Sequence, residues 1–279
     1  MARTNVWILR SRMVTQSHEI AVEIGGMPIL LRTQDASFRE LLASRYAGFV
    51  GSSSHPRFEF DVDLVPPSAE MESDEDVHVE MQEGEWRLRR GDFRALWDPR
   101  AGRGRIRQSA NPYSIDSVLR IVHTLILARE GGFLLHAASA VRSGRAFLFS
   151  GVSGSGKTTI SRLVPADVTL LTDEVSYVRR DTDGYRACGT PFAGELARLG
   201  ENCSAPIRTL FLLEKGCKNK IEPVATAEAV RSLLRNILFF AEDAELVRLI
   251  FRSACEFVDC VPVQRLTFVP DERVWDMIR

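Results

Sequence analysis

The sequence predicts an α/β protein, α+β overall, with a mixed-sheet core in residues 113–279 and a β-rich accessory region in residues 1–112. Three observations support this prediction. Apolar runs at 133–141 and 146–150 lead through a glycine-rich loop into a helix-forming stretch. Residues 114–129 have the apolar spacing of an amphipathic helix. Several short runs before residue 110 alternate apolar and polar side chains, as half-buried strands do.

The accessory region is predicted to hold strands and one helix. The elements expected here are a hairpin at 19–24 and 28–32 around Gly25-Gly26, a helix at 37–47, a strand at 58–64, an exposed loop at 66–76 rich in proline, serine and acids, and strands from 77 to about 108 with a turn at Glu83-Gly84.

The core region is predicted to begin with the helix 114–129, for which Ser114 and Asp116 are the start signals. The further expected elements are strands at 133–141 and 146–150 around Gly144, a helix at 158–164, strands at 168–178 and 208–214, helices at 226–239 and 244–255, a strand at 263–269 and a short helix at 271–278.

Composition is that of an ordinary globular protein. Hydrophobic residues make up 45% and charged residues 26% of the 279, so a core needs no disulfide or structural metal. The formal net charge is −1, which predicts neither a nucleic-acid partner nor attraction to an anionic membrane. Basic clusters at 86–90 and 100–107 are interpreted as solvated strand faces and loops. The alternative is an electrostatic docking site for an acidic partner.

Cysteine use predicts a cytoplasmic protein. The five cysteines are odd in number and form no C-x-x-C pair, which favours reduced thiols. No stretch approaches the ~18 apolar residues that span a bilayer. The apolar run at 6–9 is far too short for an export signal. The sequence leaves open whether the chain forms a homo-oligomer.

Residues 151–158 read GVSGSGKT and match the phosphate-loop (Walker A) pattern G-x-x-x-x-G-K-[ST]. Glycines let a backbone wrap around phosphate with its N–H groups inward. The motif predicts a nucleoside triphosphate and magnesium, with Lys157 on the terminal phosphates and Thr158 on the metal. The predicted nucleotide-binding residues are Gly151, Ser153, Gly154, Ser155, Gly156, Lys157, Thr158 and Thr159. The alternative is a glycine/serine loop that binds nothing.

A carboxylate pair, Asp173-Glu174, follows Lys157 by sixteen residues and ends an apolar run. One short helix, one turn and one strand fit in that space, so the strand is expected to return beside the strand of the phosphate loop. Magnesium and the deprotonation of an attacking hydroxyl both call for carboxylates. The alternative is two exposed acids at the end of a strand.

Four features together resemble the catalytic domain of HPr kinase/phosphorylase, within the HPr kinase and phosphoenolpyruvate carboxykinase superfamily. They are His136 fifteen residues before Gly151, the loop 151–158, the pair Asp173-Glu174, and the segment ELARLG at 195–200. The segment 195–200 is a degraded version of its family counterpart, and Glu174 stands where the family has a second aspartate. The N-terminal 110 residues do not resemble the family's usual N-terminal domain. The chain is closer to HPr-kinase-related proteins, which include peptide kinases that tailor lasso peptides.

The resemblance implies a P-loop core of that superfamily with a mixed sheet, and it implies roles for single residues. Asp173 would be the catalytic base, while His136 and Lys157 would act at the transferred phosphate. Glu174 and Glu195 would serve the metal with Thr158. Taken alone, His136 is better explained as an ordinary hydrogen-bonded residue of an apolar strand. Glu195 is equally well explained as an acid on a helix face.

We therefore expect an ATP- and magnesium-dependent kinase that phosphorylates a hydroxyl, a serine of a peptide or protein first of all. Two alternatives stay open: a small-molecule hydroxyl as acceptor, and a nucleotide-gated regulatory module with little catalysis. Candidate cations for the transition state are Lys215, Lys218 and Lys220, or Arg231 and Arg235. The other interpretation of the three lysines is a solvated loop.

Overall fold

The computed structural model describes residues 17–52, 55–66, 76–192, 194–196 and 200–279. These residues form a mixed α/β structure with two mixed β-sheets and several helices. The predicted fold class is confirmed at this level. The domain boundary at residue 112 stays a prediction. The apolar run at 6–9 and most of the predicted loop 66–76 lie outside the described residues.

The first sheet comes from residues 18–108. Its elements are β1 (His18–Ile24), β2 (Met27–Thr33), the helix α1 (Ala36–Arg45), β3 (Val50–Gly51), β4 (Phe58–Leu64), β5 (His78–Gln82), β6 (Glu85–Arg90), β7 (Phe93–Asp98) and β8 (Arg103–Gln108). The strand order is β3-β1-β2-β4-β8-β7-β6-β5, and only the β2–β4 and β4–β8 pairs of this sheet are parallel. Both predicted hairpin turns are confirmed: Gly25-Gly26 and Glu83-Gly84 have positive φ throughout, as tight two-residue hairpins require.

The helix α2 (Pro112–Glu130) follows and separates the two sheets in sequence. Its predicted start signals are wrong. The cap is Asn111, whose side chain accepts the N–H of Tyr113, with proline at the first helical position. Ser114 and Asp116 are buried and make tertiary contacts instead. Ser114 donates to Asp92, while Asp116 accepts from the hydroxyl of Tyr46 and from Arg45.

The second sheet comes from residues 133–268. Its elements are β9 (Phe133–Arg142), β10 (Arg145–Ser150), α3 (Lys157–Arg162), β11 (Val168–Thr172), β12 (Val175–Asp181), β13 (Gly184–Cys188), β14 (Ser204–Lys215), β15 (Lys220–Pro223), α4 (Thr226–Asn236), β16 (Ile237–Leu238), α5 (Ala244–Cys260) and β17 (Val263–Phe268). A 3-10 helix (Glu272–Met277) closes the chain.

β9 organises the second sheet because it pairs with four strands: β10, β11, β12 and β16. β14 pairs with β13 through its first residues and with β10 through its later ones. The path β10-β9-β12-β13-β14 therefore closes on itself. The pairs β10–β14 and β14–β17 are parallel, which makes the sheet mixed.

Three expectations for this region are wrong. The predicted strand 168–178 is two strands, β11 and β12, and both pair with β9 rather than with β10, the strand of the phosphate loop. The helix expected at 226–239 ends at Asn236, because Ile237 and Leu238 leave the helix to pair with Leu135 and Leu134 of β9. The helix expected at 244–255 continues to Cys260.

One large cluster of buried side chains joins the two sheets through α2. Thirteen residues of α2 are buried. His123, near its centre, lies edge-on to Phe58 of β4 at 5.7 Å and to Tyr177 of β12 at 5.3 Å between ring centroids. The turn between β1 and β2 also contacts β12, since the carbonyl of Gly25 accepts from Arg179 at 3.1 Å. The first sheet thus forms part of the core that supports the second.

Candidate functional site

The glycine-rich loop of residues 151–158 connects β10 to α3. Gly154 and Gly156 have φ values of 75° and 114°, in the region that favours glycine. A Cβ at Gly156 would lie 2.7 Å from the ring of Phe268, and one at Gly151 would lie 2.6 Å from Oγ of Ser155. The loop therefore favours glycine at three positions: Gly154 and Gly156 because of their positive φ, and Gly151 and Gly156 because a Cβ has no room.

Lys157 lies across this loop. Its side chain is mostly buried, and Nζ donates to the carbonyls of Gly151 at 3.0 Å and Val152 at 3.4 Å. Burial lowers the pKa of Lys157, while the carboxylates of Glu174 and Glu195 oppose the shift. The ammonium group is thus held between the loop carbonyls and two acids.

The two predicted acids occupy the break between β11 and β12. Thr172 accounts for the break, because its hydroxyl oxygen accepts the N–H groups of Glu174 at 3.2 Å and Val175 at 3.3 Å. Such local side-chain bonds compete with a strand ladder. β9 pairs with both strands, Thr172 opposite Ser139 and Val175 opposite His136. The break therefore places Asp173 and Glu174 at the His136 end of β9.

Asp173 is buried with a relative exposure of 1%. One carboxylate oxygen accepts the N–H of Gly194 at 2.9 Å, and the other accepts the N–H of Leu196 at 3.0 Å. Its contacts thus tie residues 194–196 to the strand break. Among the described residues, Asp173 does not line the cavity formed here.

Glu174 faces the cavity and lies beside His136, with Oε1 3.3 Å from Nδ1 and about a third of each side chain exposed. Burial lowers the pKa of His136, and the charges of Lys157 and Arg120 lower it further against the opposing effect of Glu174. A lowered pKa favours the neutral imidazole at pH 7, next to the carboxylate of Glu174.

The cavity has a volume of about 510 Å³, within the range of small-molecule sites. Its lining residues are Arg120, His136, Ser153, Gly154, Gly156, Lys157, Thr158, Thr159, Arg162, Glu174, Gly194, Glu195 and Lys215. Most of the predicted site residues are therefore brought together. Gly151, Ser155 and Asp173 are absent from the lining. Of the five cations considered from the sequence, Lys215 lines the cavity and Lys218, Lys220, Arg231 and Arg235 do not.

Sequence reasoning missed Arg120 and Arg162, of which Arg120 is the more unusual. Its guanidinium stacks on the ring of Phe192 at 4.8 Å. Nε is buried and has no hydrogen-bond partner in the described part of the chain. Burial lowers the pKa of Arg120. The signal in the sequence was an arginine between Leu119 and Ile121, inside the apolar run of an amphipathic helix.

Magnesium was predicted at Thr158, Glu174 and Glu195. Thr158 Oγ1 donates to Glu195 Oε2 at 3.2 Å, so two hard oxygen donors meet at the start of α3. In the part of the chain that the structure describes, no three histidine, cysteine or acidic side chains lie close enough together to hold a metal ion by themselves. Magnesium usually takes one or two carboxylates and completes its shell with phosphate oxygens and water. The donors fit a metal held jointly with a phosphate-bearing ligand.

Arg198, part of the predicted segment 195–200, lies outside the described residues. No helix in the described residues combines the length and the apolar character needed to cross a membrane.

The chain is a mixed α/β protein in which a glycine-rich loop, a histidine and two carboxylates share one cavity. The family model described as "SynChlorMet cassette protein ScmC" matches residues 107–279, more than half of the chain, and the chain belongs to this family. No curated protein matches the sequence. Among solved structures, the HPr(Ser) kinase/phosphatase from Coxiella burnetii is 12% identical over 43% of this chain and 87% of that chain, with a TM-score of 0.24. At that TM-score the likeness carries no argument.

Proposed function

We propose that this protein is an ATP- and magnesium-dependent kinase that transfers a phosphoryl group to a hydroxyl, a serine of a peptide or protein. The observation that carries the proposal is the single cavity that contains the phosphate-loop motif, the Thr158–Glu195 contact and the His136–Glu174 pair. Phosphoryl transfer needs these three parts: a phosphate cradle, metal donors and a group that receives the hydroxyl proton.

The residues divide this work as follows. The loop N–H groups and Lys157 hold the triphosphate. Thr158 and Glu195 hold magnesium, which when bound neutralises charge on the phosphate oxygens. The acceptor oxygen attacks the terminal phosphorus, and the bond from that phosphorus to the bridging oxygen of ADP breaks. ADP leaves with that electron pair.

The hydroxyl proton passes to the carboxylate of Glu174, beside neutral His136. The resemblance favours Asp173 as the base, but both oxygens of Asp173 are occupied by backbone N–H groups. Asp173 is also buried and does not line the cavity, whereas Glu174 does. We therefore assign proton uptake to Glu174 and give Asp173 the role of holding residues 194–196, including the metal donor Glu195, in place.

The choice of a peptide or protein serine rests on the resemblance to HPr-kinase-related proteins. A small-molecule hydroxyl would use the same groups. A nucleotide-gated module would use the loop and the metal donors but would not need the exposed His136–Glu174 pair, and this pair is why we favour an enzyme.

The test is mass spectrometry of candidate peptides and of the protein itself after incubation with ATP and magnesium. Wild type is compared with Lys157→Ala, Glu174→Gln and Asp173→Ala. Glu245→Gln is the matched control, because Glu245 is exposed on α5 and lines no part of the cavity. We expect one added phosphate on a serine with wild type and the control, and a loss of at least ~100-fold with Lys157→Ala and Glu174→Gln.

Two other results would change the assignment. Tight ATP binding without a phosphorylated peptide, but with phosphate on a metabolite hydroxyl, would favour the small-molecule acceptor. ATP binding without any product would favour the nucleotide-gated module.

A further inference from the structure

The charge lining the cavity is unbalanced. Four cationic side chains, Arg120, Lys157, Arg162 and Lys215, face two carboxylates, Glu174 and Glu195. The cavity is therefore built for an anion, and two of its positive charges are unmatched by the protein.

Among these four cations, Arg120 has a buried donor, Nε, without an acceptor in the described residues. Its nearest acids are committed elsewhere: Asp116 accepts from Arg45 and Tyr46, and Glu174 lies against His136. No ion pair within 4.0 Å joins Arg120 to any acid of the described residues, and its Nε is buried without an acceptor. A desolvated, unpaired guanidinium is costly unless a ligand supplies the missing anion.

Arg120 is held in place for such a ligand. It projects from α2, whose neighbouring residues Leu119 and Ile121 are buried, and its guanidinium rests on the ring of Phe192. A stacked guanidinium keeps its planar set of N–H donors free at the edge, the geometry that matches phosphate oxygens. The guanidinium of Arg120 is thus a positioned hydrogen-bond donor in the cavity wall.

The cavity lining points to the anion. Arg120, Lys157, His136 and Glu174 all line the same cavity, so a ligand that fills it can meet both cations. Lys157 belongs to the loop that takes the triphosphate, whereas Arg120 comes from a separate helix. A phosphoryl group that leaves ADP for a hydroxyl beside Glu174 passes between these two cations.

On the basis of the proposed function, we propose that Arg120 binds the transferring phosphoryl group and stabilises the charge that develops on it. Lys157 holds the nucleotide side of that group, and Arg120 holds the acceptor side. The contact exists with ATP or with the transition state, and it is absent with ADP, which lacks the third phosphate.

The experiment measures ligand affinity by calorimetry, with magnesium, for three probes: ADP, ATP, and ADP with aluminium fluoride, a mimic of the transferring phosphoryl group. The variants are Arg120→Gln, which removes the charge, and Arg120→Lys, which keeps the charge but loses the planar fork. Arg129→Gln is the control. Arg129 is exposed at the end of the same helix and contacts only the carbonyl of Leu125 among the described residues.

For Arg120→Gln we expect the ADP affinity to stay within about twofold of wild type. The affinity for ADP with aluminium fluoride should fall on the order of 10- to 100-fold, the usual loss for a charge-assisted hydrogen bond. The affinity of Arg120→Lys for ADP with aluminium fluoride should lie between those of wild type and Arg120→Gln. The affinity of Arg129→Gln should match that of wild type. Thermal unfolding should show Arg120→Gln to be at least as stable as wild type, because a half-buried charge without an ion-pair partner is removed.

Equal losses for ADP and for the aluminium fluoride complex would overturn the inference, since Arg120 would then support the nucleotide or the fold. No loss for any probe would overturn it as well. Failure of the wild-type protein to bind any of the three probes would reject the proposed function itself, and the role of Arg120 with it. The wild-type measurement thus tests the function, and the comparison of variants tests Arg120.

Discussion

Protonation of His123 should control how the stability of the fold depends on pH. The imidazole is fully buried in α2, and neither ring nitrogen has a hydrogen-bond partner in the described residues. Burial lowers the pKa of His123 to about 3 from its ordinary value of 6.5. Between pH 6.5 and 3 the unfolded chain therefore binds a proton here that the folded chain does not.

Proton linkage gives the sign and size of the change in the free energy of unfolding. The stabilising contribution is fully present above pH 6.5 and is lost as pH falls toward 3, at about 1.4 kcal/mol per pH unit. Between pH 7.5 and pH 5 the loss is about 2 kcal/mol, a large share of the 5–15 kcal/mol typical of a domain. His136 contributes a shift of the same sign, so a variant is needed to isolate His123.

The variant is His123→Leu, which removes both unpartnered nitrogens and keeps an apolar side chain between Phe58 and Tyr177. Urea unfolding followed by tryptophan fluorescence at pH 7.5, 6 and 5 gives the free energy of unfolding. We expect the loss between pH 7.5 and 5 to be about 2 kcal/mol smaller in His123→Leu than in wild type. The exposed His78, as His78→Gln, is the control and should keep the wild-type slope. Equal slopes in wild type and His123→Leu would refute a neutral, buried His123.

Three further outcomes are expected at the site. A Cβ at Gly194 would lie 2.8 Å from Oε2 of Glu174 and 3.0 Å from Oδ2 of Asp173, so Gly194→Ala should slow phosphoryl transfer at least ~10-fold and cost about 1–3 kcal/mol in urea unfolding. Asp173→Asn puts an amide donor opposite a backbone N–H and should cost about 1–3 kcal/mol in the same assay, whereas an unchanged stability would remove its structural role. Because the pKa of His136 is lowered from its ordinary 6.5, any decline in the rate of transfer caused by protonation of His136 should have its midpoint below pH 6.5; a midpoint above pH 6.5 would contradict the lowered pKa.

Local sequence signals predicted the elements that depend on local chemistry. The hairpin at Gly25-Gly26 and the turn at Glu83-Gly84 follow from residues that tolerate positive φ. The long helix α2 follows from its apolar period, although its true cap, Asn111, was overlooked in favour of Ser114. Asn111 and Ser114 are both common capping residues, so the sequence does not distinguish them. In the structure Ser114 lies inside the helix and donates to Asp92.

The errors lie where strand pairing overrides local preference. Ile237 and Leu238 continue the apolar pattern of α4, but β9 offers Leu135 and Leu134 as strand partners. In the sequence, Thr172 looks like an ordinary strand residue. Its hydroxyl contacts in the structure mark the strand break, at which Asp173 is buried and Glu174 is partly exposed. Register between distant strands leaves no local trace in a single sequence.

At the site, the sequence motif pointed to the glycine-rich loop because its residue types and spacing are recognisable locally, and the structure places most of that loop at the cavity. The different surroundings of Asp173 and Glu174 could not be inferred from the sequence, because the alternation of buried and exposed side chains does not continue through a strand break. Arg120 comes from a helix more than thirty residues before the loop, and only the packing of α2 against β9 brings it to the cavity.

The placement of α2 between the sheets determines how the protein tolerates truncation. One side of this helix is covered by Phe58 and its neighbours from the first sheet, and the other by β9, β12 and α5. A fragment of residues 113–279 would expose the first side to water, along with Tyr177 where the Gly25 turn now packs. Such a fragment should aggregate rather than fold. Expression, crystallisation and binding assays should therefore start from the whole chain.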